Sequence, residues 1–226
     1  MFNSIRLKFA FLRLRYFLKG IKNKSYTFES IMQELFSKKL SLIQPWQYEI
    51  EFIKLLEFYS NLNPQKVMEI GTANGGTLFA HCKLAKDNAT IISVDLPGGK
   101  FGGGYPEWKT PIYMEFAKSG QNLHLIRGNS HAEDTVKKVK DILRGELLDY
   151  LFIDGDHTYD GVKKDFDTYF PFVKSGGGII FHDIAMHTQS LCEVDKFWDD
   201  IKSGYKHHEF IKDVDSGKYG IGVIIK

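Results

Sequence analysis

Residues 66–77, Lys-Val-Met-Glu-Ile-Gly-Thr-Ala-Asn-Gly-Gly-Thr, restrict the possible folds more than any other stretch. Their apolar start fits a short buried strand, Lys66–Ile70, that breaks at Gly71 and resumes as a helix near Gly76 or Thr77. Gly71 and Gly75 carry no Cβ, so backbone N–H groups there can approach a ligand closely. The helix that follows favours a negative group at its start, where the first amides are unpaired and the dipole is positive. Glu69, at the strand end, can accept hydrogen bonds from a cationic amine. Amide donors beside one carboxylate suit a zwitterion. The glycine spacing is looser than Gly-x-Gly-x-x-Gly, which disfavours a dinucleotide fold.

The same alternation continues along the chain. Strands are predicted at Lys66–Ile70, Thr90–Val94, Leu123–Arg127, Tyr150–Asp154 and Gly178–Phe181. Helices are predicted between and after them at Gly76–Ala85, Thr110–Lys118, Ala132–Leu143, Tyr159–Val173 and Leu191–Lys202. Near-continuous apolar strands alternating with helices imply an α/β fold with a mainly parallel sheet covered on both faces. Two last strands, near His208–Val214 and Gly220–Ile225, are predicted to pair as an antiparallel hairpin around Asp215-Ser-Gly at the sheet edge. Upstream, Phe28–Leu40 and Pro45–Leu62 have helical periodicity, with Pro45 suited to a first turn. The expected organisation is a helical extension over 1–62 and a ligand-binding domain over 63–226.

Residues 1–28 contain no acid and seven bases, Arg6, Lys8, Arg13, Arg15, Lys19, Lys22 and Lys24, among helically spaced apolar residues. Such a helix can dock on its own domain or on a second copy, giving a homodimer. It can also lie on an anionic membrane surface through residues 1–24. A net charge of +2 gives no global attraction to nucleic acid, and none is expected as a partner. Two distant cysteines, Cys82 and Cys192, form neither a disulfide framework nor a zinc spacing, so a cytoplasmic setting is expected.

Ligands of such sheets sit beyond the carboxyl ends of the strands. Asp95 ends the second strand, where an acid can take both ribose hydroxyls or cap the turn at Pro97-Gly98. Residues 97–113 hold five glycines interleaved with Tyr105, Trp108 and Tyr113. That loop reads as a mobile lid with aromatic rings over a substrate, or as a merely flexible connection. Asn129 and Ser130 offer donors and acceptors to an adenine edge, or cap the next helix. The fourth strand delivers Asp154, Asp156 and His157 to one rim, and the fifth delivers His182 and Asp183. Carboxylates and an imidazole from separate strands suit Mg²⁺ or a similar divalent metal, or serve as acid–base groups.

The stretches Glu69-Ile-Gly-Thr-Ala-Asn-Gly-Gly-Thr77, Val94-Asp-Leu-Pro-Gly-Gly99, Phe152-Ile-Asp-Gly-Asp-His-Thr-Tyr-Asp-Gly161 and Gly177-Gly-Ile-Ile-Phe-His-Asp183, in this order, resemble the class I S-adenosylmethionine-dependent methyltransferases. They are nearest to the cephalosporin hydroxylase-like and sugar or macrolide O-methyltransferase group. The resemblance runs from about Pro64 to the C-terminus and implies a Rossmann-like sheet. It implies that Glu69, Gly71, Thr72, Gly75 and Thr77 hold the methionine part of S-adenosyl-L-methionine, Asp95 its ribose, and Asn129 with Ser130 its adenine. Asp154 and Asp183 match metal-binding positions of the magnesium-dependent members. His182 stands where those relatives have Asp or Glu, which is a departure from an all-oxygen site. His157 occupies the position of the general base. The activity implied is O-methylation of a small-molecule or sugar hydroxyl, metal-assisted, with His157 as base. The alternatives are a metal-independent methyltransferase and a non-catalytic cofactor-binding module.

Overall fold

The structure is a computed structural model that describes residues 2–99, 101, 104–187, 191–213 and 218–226, with side chains from residue 9 onward. Lys100, Gly102 and Gly103 of the glycine-rich loop lie outside the described residues. So does 214–217, the stretch expected to turn the final hairpin.

Among the described residues seven strands form one sheet: β1 (Lys66–Ile70), β2 (Thr90–Asp95), β3 (Asn122–Arg127), β4 (Leu148–Ile153), β5 (Val173–His182), β6 (Lys206–Phe210) and β7 (Ile221–Ile225). Their order is β3-β2-β1-β4-β5-β7-β6. The first five are parallel, and β7 runs antiparallel to both β5 and β6. The chain starts β1 in the middle of the sheet and winds outward to β3 on one side. It then returns to β4 on the other side of β1. The reversal leaves a crevice between the ends of β1, β2 and β4, where Ile70 lies beside Val94 and Ile153.

Among the described residues eight helices cover the sheet: α1 (Phe2–Gly20), α2 (Phe28–Leu35), α3 (Glu49–Leu62), α4 (Gly76–Leu84), α5 (Thr110–Tyr113), α6 (Glu133–Leu143), α7 (Tyr159–Tyr169) and α8 (Val194–Ile201). Strand alternation divides the core. Val67, Ile91, Tyr150, Phe152 and Ile180 pack against α1–α5, while Met68, Ile92, Leu151, Ile179 and Phe181 pack against α6–α8. Helices α1–α3 share one continuous apolar cluster with the sheet, through Leu18, Ile31, Leu35, Phe52 and Leu55. Glu51 of α3 adds a polar tie, accepting N–H groups from Lys212 and Gly220.

Several expected boundaries move. Pro45 lies ahead of α3 and not in its first turn, because helical structure begins only at Glu49. The helix expected from Thr110 to Lys118 stops at Tyr113, and the one expected from Tyr159 to Val173 gives way at Phe170-Pro-Phe to a tighter turn. A proline one residue in removes a helical donor there. The final helix starts at Val194 and not at Leu191.

On α1, Phe11, Leu14 and Leu18 are buried on the body of the protein, and Arg15 pairs with Glu115 at 3.1 Å. The opposite side shows Phe9, Leu12 and Tyr16, the last 82% exposed. Among the described residues no helix is long and apolar enough to cross a membrane.

Candidate functional site

A cavity of about 490 Å³ fills the crevice beyond β1, β2 and β4. Its first wall is the β1–α4 turn. Gly71 and Gly75 both hold positive φ, at +93° and +85°, and Gly75 caps α4 in the left-handed region. A Cβ on Gly71 would stand 1.9 Å from the carbonyl oxygen of Asp154, so only glycine lets β1 and β4 meet this closely. Thr72, Ala73, Asn74 and Thr77 line the same wall. The N-terminus of α4 adds its unpaired amides, a setting that favours a carboxylate.

Asp95 forms the second wall and is buried. Both its oxygens accept the N–H of Gly104 at 3.1 Å, and one also accepts the N–H of Tyr105 at 3.1 Å. Burial raises its pKa, opposed by those amides, by the amide of Thr72 and by the Arg127 guanidinium. These amides take most of the roughly four acceptor sites of the carboxylate, so a ribose hydroxyl would share an oxygen with a loop amide or displace it. The third wall is 128–131, after β3. Asn129 accepts the His131 N–H at 2.9 Å, and the Ser130 carbonyl accepts the hydroxyl of Tyr169 at 2.7 Å. These contacts fix the turn before α6, whose own N-cap is Ala132.

Two further contributors escape motif reasoning. Gln44, Pro45, Trp46 and Gln47 line the cavity, although they lie well ahead of β1 in the chain. A Cβ on Gly76 would meet the Ile43 carbonyl at 2.3 Å, which shows how closely this segment lies against the start of α4. Tyr219 reaches the cavity from the turn before β7 with φ +66°.

The strand ends of β4 and β5 bring four groups together. Ile153 and Phe181 are register partners, so Asp154 and His182 fall side by side, with Asp183 next. His157 Nε2 lies 3.3 Å from Asp154 Oδ1, and its Nδ1 lies 3.2 Å from Asp183 Oδ2. His182 Nδ1 is 3.2 Å from Asp154 Oδ1 and 3.4 Å from Asp183 Oδ2. His187 adds Nε2 at 3.5 Å from Asp183 Oδ1. Asp183 holds φ +64°, a strained conformation for a residue with a side chain. Burial acts against charge here, but the imidazoles win, and both carboxyls sit below their ordinary range. For His157 burial is outweighed by hydrogen bonds to Asp154 and Cys192 and by the two carboxylate charges, which raise its pKa to about 10. Two carboxylates thus select an imidazolium, and a cation lodged between them would remove that preference.

Asp156 lines the cavity but is spoken for, its Oδ1 accepting the N–H and hydroxyl of Thr158 ahead of α7. Glu69 does not line the cavity. Alternation along β1 places it with Val67 under α4, fully buried, where it meets His81 Nδ1 at 3.1 Å and accepts the Ser93 hydroxyl at 3.2 Å. His81 Nε2 in turn lies 3.1 Å from the Tyr150 hydroxyl. Burial pushes Glu69 well up and His81 down to about 3, so this pair is a neutral hydrogen bond and not an ion pair. Ser93 also touches Thr72, and only through that chain does Glu69 reach the cavity wall. The expected direct contact of Glu69 with an amine is therefore corrected.

The expected aromatic cover is also different. Tyr105 and Tyr113 are buried against each other at 4.8 Å, and the Tyr113 hydroxyl donates to the Ala73 carbonyl. Trp108 packs edge-on against Phe11 of α1 at 4.9 Å. The loop ring inside the cavity is Phe101, stacked on His157 at 4.8 Å and 15°. Tyr105 and Tyr113 thus pack against each other and Trp108 packs on α1, and none of the three lines the cavity.

The sequence profile of the family described as "Methyltransferase domain" matches residues 68–184, just over half of the chain. A relative from Acanthamoeba polyphaga mimivirus, "Uncharacterized protein R132", is 31% identical over 147 residues, covering 63% of this chain and 64% of that protein, so the match spans under two thirds of the relative's length. Two solved structures share the fold. The O-methyltransferase from Bacillus cereus in complex with SAH is 16% identical with a TM-score of 0.58, over 90% of this chain and 92% of that one. The O-methyltransferase TomG from Streptomyces achromogenes, involved in tomaymycin synthesis and in complex with SAM, is 13% identical with a TM-score of 0.55, over 90% and 91%.

Proposed function

This chain belongs to the methyltransferase-domain family matched by its residues 68–184, and from that premise we propose that it methylates a hydroxyl of a small molecule or sugar with S-adenosylmethionine as donor. One observation carries the reading. A single cavity joins an amide-lined glycine turn and a buried strand-end acid to an Asp/His cluster at the neighbouring strand ends. Its volume suits a ligand of cofactor size.

The residues present fit the donor. The bare backbone at Gly71 and Gly75 and the start of α4 would hold its carboxylate, Asp95 its ribose, and 129–131 its adenine. Bound there, the donor supplies an electrophilic methyl group on sulfur. They also fit a divalent cation, because buried His182 finds no aligned hydrogen bond for either ring nitrogen while two carboxylates stand beside it. Asp154, His182 and Asp183 would hold that cation, which would lower the pKa of the acceptor hydroxyl.

The chain's own contribution is orientation and proton removal. His157 is the base of this reading. One of its nitrogens would leave its carboxylate and take the hydroxyl proton, while the other stays anchored. Phe101 fixes the plane of the ring and keeps water from that face.

The test is a screen of sugars, catechols and other hydroxyl compounds for release of S-adenosylhomocysteine, with and without added divalent metal. Expected is turnover with at least one hydroxyl acceptor, lost on chelation. Donor binding with no turnover across the panel selects the binding-module alternative. Turnover that survives chelation selects the metal-independent one.

A further inference from the structure

His182 is the residue that departs from an oxygen-only metal site, and its surroundings say what that departure does. It is the last residue of β5 and only 4% exposed. Neither ring nitrogen has a hydrogen bond of acceptable geometry, although Nδ1 stands between two carboxylate oxygens at 3.2 and 3.4 Å. Two carboxylate oxygens facing one buried imidazole nitrogen need positive charge between them, and a metal ion shared by the three would supply it. One donor atom each from Asp154, His182 and Asp183 lies within 4.8 Å of the others. Among the described residues no third carboxylate joins this set, and Oδ1 of nearby Asp156 is taken by Thr158. The nearest additional donors are His187 and His157.

Mg²⁺ demands hard oxygen ligands in near-octahedral array and gives up water reluctantly. Imidazole suits Fe²⁺, Ni²⁺, Cu²⁺ and Zn²⁺ better, and the affinity of a mixed nitrogen and oxygen site rises from Mn²⁺ through Fe²⁺ and Co²⁺ to Ni²⁺. We propose that Asp154, His182 and Asp183 form a site for a first-row transition ion, with His182 as the nitrogen ligand that sets the preference over Mg²⁺. The proposal rests on the methyltransferase reading only for the role of the cation, because binding of the metal itself needs no donor or acceptor.

Most nitrogen and oxygen sites bind Co²⁺ more tightly than Mg²⁺, so the informative quantity is the change that His182 makes. The experiment titrates metal-free protein with CoCl₂ and separately with MgCl₂ by calorimetry, in wild type and His182→Asp. The ratio of the two affinities is expected to fall by about tenfold or more in the variant, with Mg²⁺ binding retained or improved. A ratio unchanged within twofold overturns the proposal. Should the variant fail to fold, the wild-type complex decides alone. Pulsed paramagnetic resonance of Mn²⁺-loaded protein grown on ¹⁵N-histidine is expected to show nitrogen coupling, and its absence overturns the proposal. A parallel titration with S-adenosylhomocysteine separates the two readings: no heat there sinks the methyltransferase reading and leaves the metal ratio standing.

Discussion

Gly71→Ala tests the most crowded of the described glycine positions. The added Cβ would start 1.9 Å from the Asp154 carbonyl oxygen and 2.6 Å from its carbonyl carbon, both backbone atoms that cannot swing aside. Ordinary contact begins near 3.4 Å, so β1 and β4 must part by about 1.5 Å at the rim. The positive φ adds about 1–2 kcal/mol of strain for any residue with a side chain. Together these effects are expected to cost about 2–4 kcal/mol, within the range of special backbone positions. For a chain of this length that is a fall in Tm of about 5–15 °C. The displacement matters more for function, because it moves the turn away from Asp154 and a misplacement of about 1 Å costs about 100-fold. The control is Gly145→Ala, with φ +85° and nothing within 4 Å of its Cβ, which carries the strain alone. Circular dichroism melts and calorimetry with S-adenosylhomocysteine on both variants provide the comparison. If Gly71→Ala melts no lower than Gly145→Ala and binds as well as wild type, the close approach of β1 to β4 is refuted.

Asp95→Ala removes the acceptor of the Gly104 and Tyr105 amides as well as the ribose ligand, and should weaken S-adenosylhomocysteine about 10–100-fold by calorimetry. An unchanged constant would remove Asp95 from the site. His157→Ala should lower turnover about 100-fold or more while leaving that constant within about threefold. Collapse of binding would mean that His157 is no base. Glu69 gives a pH test. Its folded pKa is raised above 4.5, so its stabilising effect is complete below pH 4.5 and is lost as pH rises from there towards the folded value. Wild type should therefore lose stability relative to Glu69→Gln as pH rises from about 4.5 in urea titrations. A constant difference would show that Glu69 is ionised.

The sheet was legible because its signal is local. Each parallel strand is a short apolar run, and β1 falls at Lys66–Ile70 as expected, while β5 extends beyond its expected ends through Gly176 and Gly177, which carry no apolar signal. Acids at strand ends were readable for the same reason: Asp95, Asp154 and Asp183 stand where apolar periodicity stops. What stayed hidden depends on which way a side chain points or on distant segments. Glu69 sits one residue before the end of β1, and a shift of one residue in a strand reverses its face. Gln44–Gln47 carry no motif and reach the cavity only because α2 and α3 pack on the sheet. Phe101 lacks the signal that Tyr105, Trp108 and Tyr113 give, yet those three are engaged elsewhere, Tyr105 with Tyr113 and Trp108 with Phe11 of α1.

The most direct measurement is calorimetric titration of S-adenosylhomocysteine into the purified protein. One saturable site per chain is expected, at a dissociation constant in the micromolar range or below, and NAD should give no heat under the same conditions. A flat trace with S-adenosylhomocysteine, or saturable heat with NAD instead, would contradict the assignment of the crevice beyond β1, β2 and β4.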